Sequence, residues 1–235
     1  MKMMMMETMK EEILQTGLLP DDKRNSGEMA SDIYKEDITV EELAELDLSW
    51  FKGEIVLVDD LKTFYEVFPR LLGSDLLGFD TETRPTFTKG GRNQVSLIQL
   101  STADLACLFR INKIGLPKEL IELLADPKVI KAGVAVHDDI RFLKVVKKFN
   151  PEGFIDLQNF VKDYGIQIAG LKKLTGIVLG FRISKRQQVT DWEAEQLSEA
   201  QMIYAATDAW VCYEIYRKLE DGRRETEVRI STSVF

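Results

Sequence analysis

Few residues here have types and spacing that could do chemistry, and most of them are acids. In LLGFDTET, Asp80 and Glu82 stand two apart directly after an apolar run. On a β-strand that spacing points both carboxylates to one face, and the run before them is of the kind found in a buried central strand. Two carboxylates placed there repel each other and lose hydration, at a cost of several kcal/mol unless something positive compensates. A divalent cation would do so, because hard cations prefer oxygen ligands. The alternative is that the strand ends at Gly78 and both acids are solvated loop residues. A second pair, Asp138 and Asp139, falls where the small-residue run KAGVAV passes into a helical stretch. Acids at such a junction also serve simply to complement the helix dipole. A third group lies in LSEAQMIYAATDAWVCYEIYRKL, where Tyr204 and Asp208 are four apart and share a helix face. That face is otherwise small or apolar (Ala205, Val211, Cys212, Ile215), so an acid is out of place for packing alone. The plainer reading puts Asp208 at the helix rim with Tyr204 in the core. If the acids converge at one sheet edge, they could hold two magnesium or manganese ions. Two metals about 4 Å apart clamp the attacking and leaving oxygens of a phosphodiester displacement.

The elements that must position these residues follow from patterning. Residues 1–35 show no sustained periodicity, and ITVEELAELDLSWF predicts a short amphipathic helix with Thr39 as its N-cap. From Glu54 onward, short β-rich runs alternate with helical stretches. IVLVDD (55–60), LLGFDTE (76–82), SLIQLS (96–101), LACLFRI (105–111), VIKAGVA (129–135) and FIDL read as strands. SLIQLS and LACLFRI are separated by a TAD turn, which predicts a hairpin. Helices are expected over LKTFYEVFPRLL, over 117–125 with Pro117 in the first turn, over 138–148, and over 198–220. Between FIDL and that last helix the reading is mostly helical. Antiparallel strands followed by strands alternating with helices predict an α/β fold with a mixed central β-sheet flanked by α-helices.

Charge divides the chain unevenly. Residues 1–54 carry 14 acids and 6 bases, which accounts for the whole net charge of −8, while residues 55–235 carry 25 of each. The acidity therefore says nothing against a polyanionic ligand for the main domain. The expected organisation is an acidic, partly disordered extension with a short helix (1–54), one domain (55–220) and a C-terminal tail (221–235). No run of about 18 apolar residues predicts a membrane span. The opening MKMMMMETMKEE lacks the apolar region of a secretory signal. Cys107 and Cys212 are too few for a disulfide framework, so reduced, buried thiols in a cytoplasmic protein are expected. His137, the single histidine, excludes zinc sites built from several histidines.

FDTET, KAGVAVHDDIRFL and YAATDAWVCYEIY, in this order, resemble the three motifs of the DEDD superfamily of 3′→5′ exonucleases, in the branch that holds the Werner-syndrome helicase exonuclease domain and RNase D. The resemblance covers roughly Ile55 to Leu219 and extends to VSLIQLS and TDWE. It implies a ribonuclease H-like fold and a metal-dependent enzyme that removes nucleoside 5′-monophosphates from a single-stranded 3′ end, DNA or RNA. Asp80 and Glu82 match the first motif. Asp139 matches the second, with Asp138 as the fallback, and Asp208 matches the third. Tyr204 at minus four from Asp208 is similar to the tyrosine (DEDDy) branch, which makes His137 a helix-start or rim residue instead of the catalytic histidine. The implied roles are Asp80 bridging two Mg2+ or Mn2+ ions, Glu82 and Asp208 completing one site, Asp139 holding the second, and Tyr204 orienting water. Implied substrate contacts are the backbone around Thr81, with Phe87 for stacking and Lys89 and Arg92 for phosphates. Lys185, Arg186 and Gln188 are expected beside the site, and Trp192 in the core. The alternatives are a two-metal phosphodiesterase acting on very short oligonucleotides and a non-catalytic nucleic-acid-binding module. Protein partners are not visible in the sequence.

Overall fold

The computed structural model of the chain describes residues 34–83, 94–168 and 170–233. Phe87, Lys89 and Arg92 lie outside them. Among the described residues no helix is long and apolar enough to cross a membrane.

Among the described residues, six strands form one mixed sheet. They are β1 (Glu54–Val58), β2 (Leu76–Thr83), β3 (Val95–Ser101), β4 (Leu105–Arg110), β5 (Ile130–Gly133) and β6 (Phe154–Asp156), in the order β1-β4-β3-β2-β5-β6. β2, β3 and β4 are antiparallel neighbours, and the other pairings are parallel. This is the mixed sheet flanked by helices that patterning predicts.

The helices fall on both faces. On one face, Phe79, Ile98, Leu100, Cys107 and Phe109 pack with α2 (Leu61–Val67), α4 (Lys118–Leu124) and α5 (Val136–Val146). A single turn, α3 (Ile111–Ile114), links β4 to α4. On the other face, Leu97, Ala106 and Leu108 meet Trp192, Tyr204, Ala205 and Ala206. The last three belong to the final helix, which follows two short turns, α6 (Leu157–Phe160) and α7 (Leu171–Leu174), and runs as α8 over Glu199–Ser233. Its start is a capping box, in which the Ser198 N–H donates to Gln201 Oε1 (3.0 Å) and the Gln201 N–H donates to Ser198 Oγ (3.3 Å).

Three local expectations change. The helix expected from Asp138 begins at Val136, because Ala135 adopts a left-handed conformation (φ 57°) that turns the chain out of β5 two residues earlier. The region after β6 is less helical than its pattern suggests. It consists of short turns and then an irregular stretch held by Trp192 in the core and by Gln201, whose Nε2 donates to Thr190 Oγ1 and to the Asp191 carbonyl. Residues 221–233 continue α8 as helix.

The strap is the segment before β1. Its helix α1 (Val40–Glu45) is capped as expected by Thr39, in a reciprocal pair with Glu42. Ile38, Leu43 and Phe51 are buried, the Phe51 N–H donates to Thr207 Oγ1 on α8 (3.0 Å), and Leu48 bridges to Arg182. Residues 34–53, acidic in composition, therefore pack against the domain instead of standing off in solvent.

Candidate active site

β2 carries the first two acids. It does not end at Gly78, because pairing with β3 continues through Asp80↔Gln99 and Glu82↔Leu97. Pairing with β5, by contrast, covers only Leu76–Gly78. From Asp80 onward β2 thus has a strand on one side and an opening on the other. Cross-strand partners share a face, and Leu97 faces α8, so Asp80 and Glu82 face α8 as well.

On α8 the i,i+4 spacing aims Tyr204 and Asp208 back at those carboxylates. Close approach is possible because of a residue that sequence reasoning missed. Gly78 lies on the same face of β2, and a Cβ there would collide with the Ala209 backbone, one residue from Asp208. Its signal in the sequence was a glycine inside a strong strand. Ala205, Ala206 and Ala209, all fully buried, keep the helix side of the contact equally thin.

The result is a cluster in which Asp80, Glu82 and Asp208 each offer one oxygen, all within 4.8 Å of one another. Asp139 is held one step aside. Its Oδ1 accepts a 2.5 Å hydrogen bond from Thr81 Oγ1, so the Thr81 hydroxyl is engaged within the protein. Asp138 instead faces outward and pairs with Arg141 (3.2 Å), and His137 is exposed.

Electrostatics mark the cluster as unstable in its ionised form. Burial, then the charges of Asp208, Glu82 and Asp139, hold Asp80 well above the ordinary carboxylate range. Burial, followed by Asp208 and Asp139, pushes Glu82 to about 9. Asp208 rises to about 7 through burial, against a hydrogen bond from Tyr204 and the charge of Lys185. Asp139 rises to about 6 through burial, against the bond from Thr81. Tyr204 is pushed up by burial and then by Asp208 and Glu82, so its O–H stays protonated. Gln99 lies across from Asp80, fully buried, and neither its Nε2 nor its Oε1 has a partner among the described residues. A donor set of hard carboxylate oxygens, each resisting ionisation in the others' presence, fits a divalent cation.

Of the other expected contacts, Lys185, Arg186 and Gln188 are exposed on the irregular stretch before α8. Lys185 is near enough to act on Asp208. Arg186 lines an open groove of about 510 Å³ that also touches Trp50, Ile203 and Tyr204.

A family model described as 3′-5′ exonuclease matches residues 55–222. The chain belongs to this family. It is 33% identical over 163 residues to the bifunctional 3′-5′ exonuclease/ATP-dependent helicase WRN of Mus musculus, covering 66% of this chain and 11% of that protein. It is 35% identical over 168 residues to exonuclease 3′-5′ domain-containing protein 2 of Drosophila melanogaster, covering 69% of this chain and 27% of that protein. The chain thus spans a small part of these relatives. Among solved structures, the Aedes aegypti Nibbler EXO domain superposes with a TM-score of 0.66 at 26% identity, covering 74% of this chain and 91% of that one. Escherichia coli RNase D shares the fold, with a TM-score of 0.66 at 24% identity over 74% of this chain and 46% of that one. The fold is ribonuclease H-like, as the motifs imply.

Proposed function

We propose that the chain is a metal-dependent 3′–5′ exonuclease of the tyrosine-bearing DEDD type, which hydrolyses the terminal phosphodiester of a single-stranded DNA or RNA 3′ end. The observation that carries this reading is the convergence of Asp80, Glu82 and Asp208 within 4.8 Å, from a strand and a helix far apart in sequence. Asp80, Glu82 and Asp208 would hold one divalent ion, Mg2+ or Mn2+, and Asp80 with Asp139 a second. When bound there, such ions supply the Lewis acidity that activates water and stabilises the leaving oxygen. The oxygen of water attacks the terminal phosphorus, and the bond from phosphorus to the 3′-oxygen of the preceding nucleotide breaks. That oxygen takes up a proton, and a nucleoside 5′-monophosphate leaves.

The chain's own groups divide the remaining work. Tyr204 donates its O–H to Asp208 and stays protonated, so its lone pairs can accept a hydrogen bond from the water and orient it. Thr81 fixes the rotamer of Asp139. Arg186 and Lys185 stand where substrate phosphates would arrive, and Gln188 follows them on the same stretch.

The test uses the purified chain with Mg2+ or Mn2+ and 5′-labelled DNA and RNA. A ladder shortening from the 3′ end, lost on chelation and in Asp80→Ala, is the expected result. Full activity in Asp80→Ala would remove the mechanism.

A further inference from the structure

A second groove, of about 560 Å³, is bordered by Lys185 on the stretch that also carries Arg186. Its cations are Lys172, Lys173, Arg182 and Lys185, and its apolar wall includes Val40 and Leu43 of the strap. No acid lines it. Two of the cations are engaged in holding the strap, since Lys173 Nζ contacts Asp37 (2.8 Å) and Arg182 Nε donates to the Leu46 carbonyl (2.9 Å). The ammonium groups of Lys172 and Lys185 have no hydrogen-bonded or ion-paired partner among the described residues. This concentration of positive charge occurs in a chain whose net charge is −8.

Position gives the groove its meaning. Lys185 belongs to its lining, on the same loop that carries Arg186. The adjacent Arg186 lines the first groove together with Tyr204. The strap is tied to the same loop by backbone bonds, Ser49 N–H to the Arg182 carbonyl and Arg182 N–H to the Asp47 carbonyl, both 2.9 Å. Val40 is 70% exposed, an apolar surface suited to sugar and base faces beside the cations.

We propose that this groove holds the sugar–phosphate backbone of the single strand upstream of the nucleotide being removed, with the strap as one wall. Residues ahead of the family match then belong to the substrate track, and the preferred substrate is a strand several nucleotides long. The inference rests on the exonuclease reading for its direction, but its test does not depend on cleavage.

The experiment measures binding of a fluorescent long single strand by anisotropy in EDTA, across a salt series, for the full chain, Lys172→Glu and Val40→Glu. Lys128→Glu, an exposed lysine outside the groove, is the control. Lys172→Glu is expected to weaken binding about tenfold and to lower the log–log salt slope by about 0.7, the value for one single-strand phosphate contact. Val40→Glu should weaken binding as well, and the control should change neither quantity. With metal added, the same variants should raise KM for the long strand while leaving kcat and dinucleotide cleavage unchanged. Unaltered affinity and slope in both groove variants overturns the track, even if the wild type is an exonuclease. Absence of metal-dependent cleavage by the wild type overturns the exonuclease reading, while the anisotropy data still decide the groove.

Discussion

The sheet buries charge in two ways, and they have opposite outcomes. Arg110 on β4 and Lys131 on β5 are both fully buried cations. Each is met by neutral backbone oxygens. Arg110 donates to the carbonyls of Glu195 (2.9 Å) and Ala194, and Lys131 Nζ donates to those of Leu123 (3.2 Å) and Asp126 (2.8 Å). These ions tie loops to strands and leave the chemistry alone. Asp80, Glu82 and Asp208 are also withdrawn from water, but they face one another. A buried charge met by dipoles serves structure, whereas like charges gathered together demand a ligand. That contrast separates scaffold from site more sharply than burial does.

The largest expected effect breaks the acid side. Asp80→Asn should lower the nuclease rate more than about a thousandfold, equivalent to roughly 4 kcal/mol. It should also stabilise the metal-free fold at pH 8 by about 1 kcal/mol or more, because Asn is neutral without having to take up the proton that the buried carboxyl needs there. Rate assays with chemical denaturation check both, and a destabilised metal-free Asp80→Asn would contradict the contrast. Next is Gly78→Ala, whose added methyl must push α8 from β2 at a cost of about 1–3 kcal/mol. Metal affinity should fall with it, measured by calorimetry, since Asp208 moves away from Asp80. Tyr204→Phe should reduce kcat about 10- to 100-fold, less than loss of a ligand. An equal loss would give Tyr204 a different role.

On the basic side, Lys131→Met should cost about 1–3 kcal/mol through two unpaired carbonyls and leave kcat and metal dependence as in the wild type. The smallest expected effect is in pH dependence, and its sign differs between the two regions. The acids' folded pKa values lie above their unfolded ones, so the folded state holds extra protons and metal-free stability falls as pH rises from about 4 to about 9. Lys131 is lowered to about 8 by burial, so its contribution improves as pH rises from there toward its ordinary value. Thermal melts in EDTA and in Mg2+ from pH 5.5 to 8.5 check the first sign. Metal should raise Tm more at pH 8.5, where fewer protons compete for the oxygens.

Much of the sheet could be read from the chain because strands and hairpins are local events. The alternation of Leu97 with Ile98 and the short TAD turn need no distant partner. The pairs Asp80 with Glu82 and Tyr204 with Asp208 were equally visible, since each depends on one element's period. Thr81 was expected to serve substrate through its backbone, and the engagement of its hydroxyl by Asp139 had no sequence signal. Nor did Gln99 stand out until register placed it across from Asp80. The strap misleads by composition, because its many acids hide the three apolar residues that anchor it, Ile38, Leu43 and Phe51.

Periodicity and residue chemistry alone thus indicated which side chains could share a face and that their oxygens would suit a hard cation. Folding settled the rest: that a strand and a helix more than a hundred residues apart meet at Gly78, that Asp139 and not Asp138 turns inward, and that four cations share a groove with the strap. The reason is physical. Local pattern is written every two or four residues along one element, while a site made of several elements depends on crossing angles and close backbone approach, which no single stretch of chain encodes.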